Sequence, residues 1–234
     1  TAVDFLETLN CPVYKIASPE ITDVGLIERC ADTGKPIILS TGLAYPEDIE
    51  LVVNILKKKR TRFVLLKCVS AYPAPLEAMN LATIPIMQQK YDCPVGLSDH
   101  SIGEDAATTA TALGAVLIEK HFKFESDNVS IDSAFSMPIE KFKCFKSKIE
   151  NVSKILGAPV LDIPKAAKAS LSGRRSLYIV KDMTKGQIFT NENVKSIRPS
   201  YGLAPKFLPE IIGKKVNRDV KKGARMSLDL IRDE

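Results

Sequence analysis

Short apolar runs recur through the first two-thirds of the chain, each preceded by a turn residue and followed by polar residues. Within a run the apolar side chains follow one another without alternation, which is typical of strands buried on both faces of a parallel sheet. Helical patterns at 21–33, 46–58 and 106–113 separate these runs and predict repeated strand–helix–strand units. The predicted strands are 13–18, 36–42, 63–68, 94–100 and 115–121.

The chain begins in a helical pattern at 3–9, with no strand pattern before it. A closed (β/α)₈ barrel takes roughly 250 residues, whereas the five predicted strands and their helices occupy only about 155. Two interpretations are open at this point. The α/β unit is either an open sheet or a barrel that lacks its first strands.

The pattern changes after an amphipathic helix predicted at 142–156. The segment that follows is rich in proline, alanine and lysine, which indicates a linker. Beyond it, β-branched and aromatic residues at 174–180 predict a strand, and 210–213 predicts one helical turn ended by glycine. The predicted organisation is an α/β domain at 1–156, a linker at 157–172 and a small strand-rich domain at 173–234.

Composition limits the class of protein. The chain is 45% hydrophobic and 26% charged, as expected of a soluble globular protein. Its net charge of +5 comes from scattered lysines, which predicts no nucleic-acid binding and suits an anionic small substrate. No apolar run approaches the ~18 residues of a membrane helix, and the first residues lack the basic region of a signal peptide. Five cysteines without CxxC spacing predict free thiols and a cytoplasmic protein.

The two histidines of the chain, His100 and His121, end consecutive predicted strands. Because neighbouring strands lie about 4.8 Å apart, two imidazoles placed in this way can bind one divalent ion, and nitrogen ligands suit manganese, iron or zinc. The alternative is two unrelated polar residues at strand ends. Glu119 shares a strand face with His121, where it either orients a metal ligand or pairs with a lysine.

Lys15 lies inside an apolar predicted strand. Burying its ammonium is costly unless an anion accompanies it, and a phosphate or carboxylate ligand would supply that anion. The alternative is a lysine whose charged end reaches solvent at the sheet edge. Small hydroxyl side chains at nearby strand ends suit the same anion, although each is also typical of a turn or helix cap: Ser18, Ser40, Thr41 and Ser98.

Asp132 lies in a polar segment at 129–136, just past His121. A loop at this position can fold over the strand ends, where its carboxylate would accept hydrogen bonds from sugar hydroxyls. A helix cap is the alternative interpretation of the same aspartate.

Seven segments in chain order resemble motifs of the sialic acid synthase family. They are YKIASPE at 14–20, LSTG at 39–42, KCVSAYPAP at 67–75, GLSDH at 96–100, IEKHF at 118–122, RRSLY at 174–178 and IRPSYGL at 197–203. Each motif is weak alone, but seven at family spacing over essentially the whole chain form a specific signal. The resemblance implies a (β/α)₈ TIM barrel, of which strands 4–8 are present, followed by a SAF, or antifreeze-like, domain.

The resemblance also implies roles for individual residues. His100 and His121 match the ligands of a divalent metal ion, manganese or magnesium. The family joins phosphoenolpyruvate to an amino-sugar aldehyde as a domain-swapped homodimer, and Arg198 matches an arginine that reaches the partner's sugar. Positions near the sugar, taken as catalytic, are Glu20, Tyr72 and Asp132. Positions that hold phosphoenolpyruvate are Lys15, Ser18, Ser40 and Ser98. Ser70 matches a further substrate-binding position, where the family often has asparagine.

In the family, three strands that carry a catalytic glutamate and a further lysine precede the helix matched by 3–9, so the resemblance implies a fragment. Segments 70–75, 132–136 and 198–203 are more similar to the pseudaminic acid branch, whose acceptor is a 6-deoxy-2,4-diacetamido hexose, than to the N-acetylneuraminate branch. N-Acetylneuraminate or legionaminic acid synthesis is the first alternative. An aldolase or isomerase on the same scaffold and a non-catalytic sugar-binding or interaction module are the others.

Overall fold

A computed structural model describes residues 1–124 and 130–231 of the chain, which divides into two units, Thr1–Ala158 and Pro159–Glu234. In the first unit, five parallel strands form one sheet in chain order. Each predicted apolar run contains one strand, although most strands are shorter than the run. The strands are β1 (Tyr14–Ile16), β2 (Ile37–Ser40), β3 (Phe63–Cys68), β4 (Val95–Asp99) and β5 (Ile118–Lys120).

Helices alternate with these strands, as the periodicity predicts. The predicted helix at 46–58 has the bounds that the sequence indicates. The segment at 21–33 contains the end of a 3₁₀ helix, Ser18–Thr22, and then an α-helix. The helices of the first unit are α1 (Ala2–Thr8), α2 (Val24–Asp32), α3 (Pro46–Lys58), α4 (Thr83–Tyr91), α5 (Asp105–Ala112) and α6 (Ile139–Leu156).

The strand register assigns alternate residues to two faces of the sheet. Leu39, Leu65 and Leu97 are fully buried and belong to the same core as Ile27 of α2 and Leu56 of α3. Because side chains alternate along a strand, the residues between these leucines point to the other face. We call this second face the site face, and its polar residues are Lys15, Ser40, Cys68, Ser98 and Glu119.

The sheet curls, so the first unit is a mixed α/β structure with a parallel half-barrel. The identification of its strands as strands 4–8 of an eight-stranded barrel stays a prediction. Two short parallel strands, β6 (Phe122–Lys123) and β7 (Met137–Pro138), lie between β5 and α6. Within 1–124 and 130–231, no helix is long and apolar enough to span a bilayer.

The second unit has its own core. Two antiparallel strands, β8 (Ser176–Ile179) and β9 (Val194–Ile197), and a short helix, α7 (Leu208–Ile211), contribute to it. Isolated β-bridges between single residue pairs connect further segments of the unit. The apolar pattern at 174–180 thus contains β8. Fully buried side chains form this core, among them Leu177, Ile179, Phe189, Val216 and Met226.

The boundaries of the second domain stay a prediction. The 3₁₀ helix Lys165–Gly173 overlaps the predicted linker at 157–172, and the boundary between the two units lies inside that linker. The last three residues of the predicted domain, 232–234, lie outside the described part of the chain, as does residue 129 of the segment that contains Asp132.

The N-terminus of α2 provides a first prediction. The Asp23 carboxylate accepts a hydrogen bond from the backbone N–H of Leu26 at 3.0 Å. Removing such a cap costs about 1 kcal/mol, so we expect Asp23→Ala to lower the free energy of unfolding by this amount. Urea denaturation measures the change. Glu28→Ala, in the middle of the same helix, is the control and should change stability by less than about 0.5 kcal/mol.

Candidate functional site

Two hydrogen bonds and one ion pair connect residues of four strands on the site face. The Lys15 ammonium donates to Ser40 Oγ at 2.8 Å and lies 3.7 Å from Glu119 Oε1. Ser98 Oγ donates to the same Glu119 oxygen at 2.7 Å. We call these four residues the Lys15 network. With 32% of its side chain exposed, Lys15 keeps its charge partly open to solvent beside two hydroxyl groups, as an anion-binding lysine requires.

Gly42 and three small side chains form a second group beside this network. The Gly42 N–H donates to Ser18 Oγ at 2.9 Å. A Cβ added to Gly42 would meet Ser18 Oγ at 3.0 Å and would come closer still to Cys68 Sγ and Ser70 Oγ. Glycine is therefore required for Ser18 and Ser70 to approach the backbone here. Two of the predicted serines, Ser18 after β1 and Ser70 after β3, lie together in this way around Gly42.

His100 and His121 lie side by side, with ring centroids 5.3 Å apart and ring planes at 67°. His100 Nδ1 lies 2.9 Å from the Val69 carbonyl oxygen. Since a carbonyl only accepts hydrogen bonds, Nδ1 carries the proton and Nε2 retains its lone pair in the neutral ring. His121 Nδ1 lies 3.6 Å from Asp132 Oδ2. The structure thus brings together both predicted histidines and the predicted aspartate.

Aromatic rings surround the two imidazoles. The Tyr72 ring lies 4.3 Å from that of His100 and 6.3 Å from that of His121. Phe135 is buried and contacts both Tyr72 and His121, at 5.6 and 5.0 Å between centroids. Tyr72 is 55% exposed, so its hydroxyl group can face a ligand while its ring packs against the histidines.

Neighbouring polar groups shift the acidity of this cluster. Burial by itself raises the pKa of the Cys68 thiol, but hydrogen bonds with His100, Ser18 and Ser70 outweigh it and lower the pKa to about 7. Burial acts to lower the pKa of His100, yet Cys68 and the Val69 carbonyl outweigh it and raise that pKa. Both shifts favour the charged forms, a Cys68 thiolate beside a His100 imidazolium.

Burial also raises the pKa of Tyr72, and the charges of Cys68 and Asp132 add to this effect. Because the ordinary pKa of a phenol is already near 10, Tyr72 stays protonated at neutral pH. Its hydroxyl group is therefore available as a hydrogen-bond donor.

Two predicted residues lie apart from these contacts. Glu20 is exposed on the 3₁₀ helix that follows β1, and it belongs to the same unit as the histidines. Arg198 is exposed in the second unit, directly after β9. Their roles as catalytic and sugar-contacting residues remain predictions.

The donor set fits an open metal site. Among the residues that the structure describes, no group of three or more His, Cys, Asp or Glu is arranged to hold a metal ion. The two imidazoles, with the His100 Nε2 lone pair available, can supply two nitrogen ligands and leave other positions to water or substrate oxygen atoms. Manganese accepts such a mixed nitrogen and oxygen set.

Cys68 and Phe135 belong to this cluster but were not among the predicted site residues. Cys68 follows Leu66 by two positions on the site face of β3, so strand alternation could have indicated it. Phe135 has no comparable signal, because its contact with Tyr72 joins residues far apart in sequence.

Residues 1–160 match the NeuB family, and residues 174–227 match the SAF domain. The chain belongs to the NeuB family. This NeuB-family chain is 42% identical, over 94% of its length, to the pseudaminic acid synthase of Campylobacter jejuni subsp. jejuni serotype O:23/36. It is 41% identical, over 97% of its length, to the pseudaminic acid synthase of Helicobacter pylori. It spans 65% and 68% of the lengths of these two relatives.

A more distant relative and a solved structure agree with this family. The N,N′-diacetyllegionaminic acid synthase of Campylobacter jejuni subsp. jejuni serotype O:2 is 33% identical over 94% of the chain and 67% of its own length. The crystal structure of the N-acetylneuraminic acid synthetase of Leptospira borgpetersenii, in complex with citrate, is 36% identical with a TM-score of 0.68. That match covers 72% of the NeuB-family chain and 59% of the other chain.

Proposed function

We propose that this chain carries the site of a pseudaminic acid synthase. The reaction joins phosphoenolpyruvate to a 6-deoxy-2,4-diacetamido hexose and yields a nine-carbon nonulosonic acid and phosphate. One observation carries the proposal: in a NeuB-family chain, the Lys15 network and the His100–His121 pair lie at the carboxyl ends of neighbouring strands. Parallel α/β sheets bind their ligands at this end.

Phosphoenolpyruvate, the anionic substrate, binds at the side of the site that contains the Lys15 network. The Lys15 ammonium and the hydroxyl groups of Ser40 and Ser98 bind the phosphate and carboxylate of phosphoenolpyruvate. Ser18 and Ser70, packed against Gly42, add hydroxyl groups to the same pocket. Glu119 holds Lys15 and Ser98 in place and gives up part of this contact when the anion binds.

The sugar binds at the side of the site that contains His100 and His121. A divalent ion held by His100 and His121, manganese or magnesium, would polarise the sugar aldehyde when bound. Tyr72 donates a hydrogen bond from its protonated hydroxyl group, while Asp132 and Glu20 accept hydrogen bonds from sugar hydroxyls. C3 of phosphoenolpyruvate attacks the aldehyde carbon, water adds at C2, the bond between C2 and the phosphate oxygen breaks, and phosphate leaves.

The wider architecture follows the family pattern in this proposal. The five strands correspond to strands 4–8 of a (β/α)₈ barrel, and the second unit corresponds to a SAF domain. The protein is a domain-swapped homodimer in which Arg198 contacts the sugar of the partner subunit. Free thiols at all five cysteines support a cytoplasmic location.

The higher identity to pseudaminic acid synthases supports the choice of acceptor sugar. Incubation of the protein with phosphoenolpyruvate, Mn²⁺ and either the pseudaminic or the legionaminic precursor sugar tests this choice. We expect phosphate release with the first sugar only. Release with the second alone would reassign the substrate. Sugar binding without any phosphate release would indicate a binding module, and a borohydride-trapped adduct on Lys15 would indicate an aldolase.

Lys15 supports a quantitative prediction for the anion. A hydrogen bond to a charged group contributes about 1.5–3 kcal/mol, so we expect Lys15→Met to weaken phosphoenolpyruvate binding roughly 10- to 100-fold. Isothermal titration calorimetry measures the dissociation constant. Lys67→Met is the matched control, because Lys67 also lies within an apolar strand but projects to the opposite face. Equal losses in both variants would contradict the assignment of Lys15.

A further inference from the structure

A fully buried ion pair lies on the sheet face opposite the histidines. The Lys120 ammonium donates to Asp99 Oδ2 at 2.7 Å, and the two side chains are only 2% and 0% exposed. Asp99 Oδ1 accepts hydrogen bonds from the backbone N–H and the hydroxyl group of Ser101, at 2.8 and 2.6 Å. The pair is thus satisfied on both sides, as a buried charge must be.

The location of this pair relates it to the two imidazoles. Asp99 and Lys120 are directly paired in the strand register, and each immediately precedes one of the histidines. Lys120 also donates to the Ser101 carbonyl at 2.7 Å, so one ammonium binds the chain on both sides of His100. The ion pair therefore links the residues on both sides of His100 to Lys120, the residue that directly precedes His121.

The hydrogen bonds of the histidines do not provide this connection, although the Tyr72 ring packs against both imidazoles. His100 is held to Val69 and Ala74, and the His121 carbonyl accepts from Met137. Each of these contacts anchors one histidine to its own surroundings. The paired ends of β4 and β5 stop at Asp99 and Lys120, one residue before the imidazoles.

Stability alone does not explain an ion pair at this position. Two charges lose their hydration on burial, and apolar residues of similar volume are often as stable or more stable in the same place. A buried ion pair differs from an apolar contact because its hydrogen bonds specify direction and distance. The pair thus suits a position where two backbones need one defined separation.

We propose that Asp99 and Lys120 are positioning residues that set the separation of His100 and His121. This inference rests on the proposed function in so far as the two histidines bind the metal ion. The pair contacts neither substrate nor metal and acts through the strand ends. If the pair is replaced by apolar side chains, the two imidazoles lose their fixed separation although the sheet persists.

Two double variants test this inference without leaving a single charge buried. Asp99→Leu/Lys120→Met removes the pair, and Asp99→Asn/Lys120→Gln keeps polar groups but shortens the lysine arm. Glu50→Leu/Lys90→Met is the control, because it removes an ion pair of 3.0 Å that joins α3 and α4 at the surface. All proteins are prepared without a histidine tag, and urea denaturation establishes that each variant is folded. If the first variant does not fold, the second decides.

Two measurements separate this inference from the proposed function. With ¹³C-labelled histidine, the chain has two imidazole signals, and a nuclear Overhauser effect between them reports their separation. Electron paramagnetic resonance of free Mn²⁺ gives the metal dissociation constant.

We expect the nuclear Overhauser effect between the two imidazole rings to be present in the unaltered chain and in the control. It should be lost in the Asp99/Lys120 variants. Mn²⁺ binding should weaken about 10-fold or more in these variants, as for other residues that orient metal ligands. An unchanged effect between the rings in a folded Asp99/Lys120 variant would overturn the inference. If the unaltered chain binds no Mn²⁺, the metal proposal fails, and the imidazole signals alone decide the positioning role.

Discussion

Replacement of His100 by alanine is expected to remove Mn²⁺ binding. Residues that only orient metal ligands affect affinity about 10- to 100-fold, so the loss of a direct nitrogen ligand should exceed about 100-fold. The reason is that the chain has two histidines, so no third imidazole can replace the lost nitrogen ligand. Asp132, 3.6 Å from His121, cannot replace the missing nitrogen on the His100 side.

Metal content and magnetic resonance measure this loss. In the unaltered chain, a small amount of Mn²⁺ should broaden both imidazole signals together, because both rings bind the same ion. In His100→Ala, the remaining His121 signal should stay sharp at the same Mn²⁺ concentration. Cys144→Ala is the control, because it removes an exposed soft donor on α6. Unchanged metal content in His100→Ala by elemental analysis would refute the metal site.

Lys120→Met alone is expected to lower the free energy of unfolding by about 3–5 kcal/mol, the cost of leaving one member of a buried ion pair without its partner. The Asp99 carboxylate is completely buried, and its remaining hydrogen bonds come from Ser101. These neutral donors do not offset the loss of the ammonium. Since domains have only about 5–15 kcal/mol of stability, this change should be large enough to populate unfolded protein.

Urea denaturation of Lys120→Met, of the Asp99→Leu/Lys120→Met double variant and of Lys90→Met measures this cost. Lys90→Met breaks an exposed ion pair with Glu50 and should change stability by less than about 1 kcal/mol. The double variant should recover most of the loss, because no charge remains buried. Equal losses in Lys120→Met and Lys90→Met would contradict the burial argument.

Most helices and strands of the first unit follow from local sequence patterns. The strand β3 and the helix α3 have the bounds that periodicity indicates, because their apolar residues follow one pattern throughout. The helix α4 was not among the predicted segments. It contains Pro85 in its first turn and ends before Asp92, which has a positive φ of 48°. Such residues are typical of turns, although proline is tolerated in the first turn of a helix.

In the second unit, the sequence predicts β8 but not β9. The Val194–Ile197 strand includes the polar residues Lys195 and Ser196 and has only one buried residue. Its pairing with β8 depends on contacts between residues up to 21 positions apart, from Ser176 to Ile197. A strand of this kind is stabilised by its partner more than by its own residues.

The sequence by itself determined the alternation of strands and helices, the polar strand ends and the two histidines that a metal site would need. These features are local, since side-chain periodicity and turn residues act over a few positions. Only the tertiary structure decided which residues meet: Lys15 with Ser40, Ser98 with Glu119, and Asp99 with Lys120. These partners lie 21–25 positions apart, and the parallel register of neighbouring strands brings them together. No local pattern specifies that register, because it depends on how all the helices pack against the sheet.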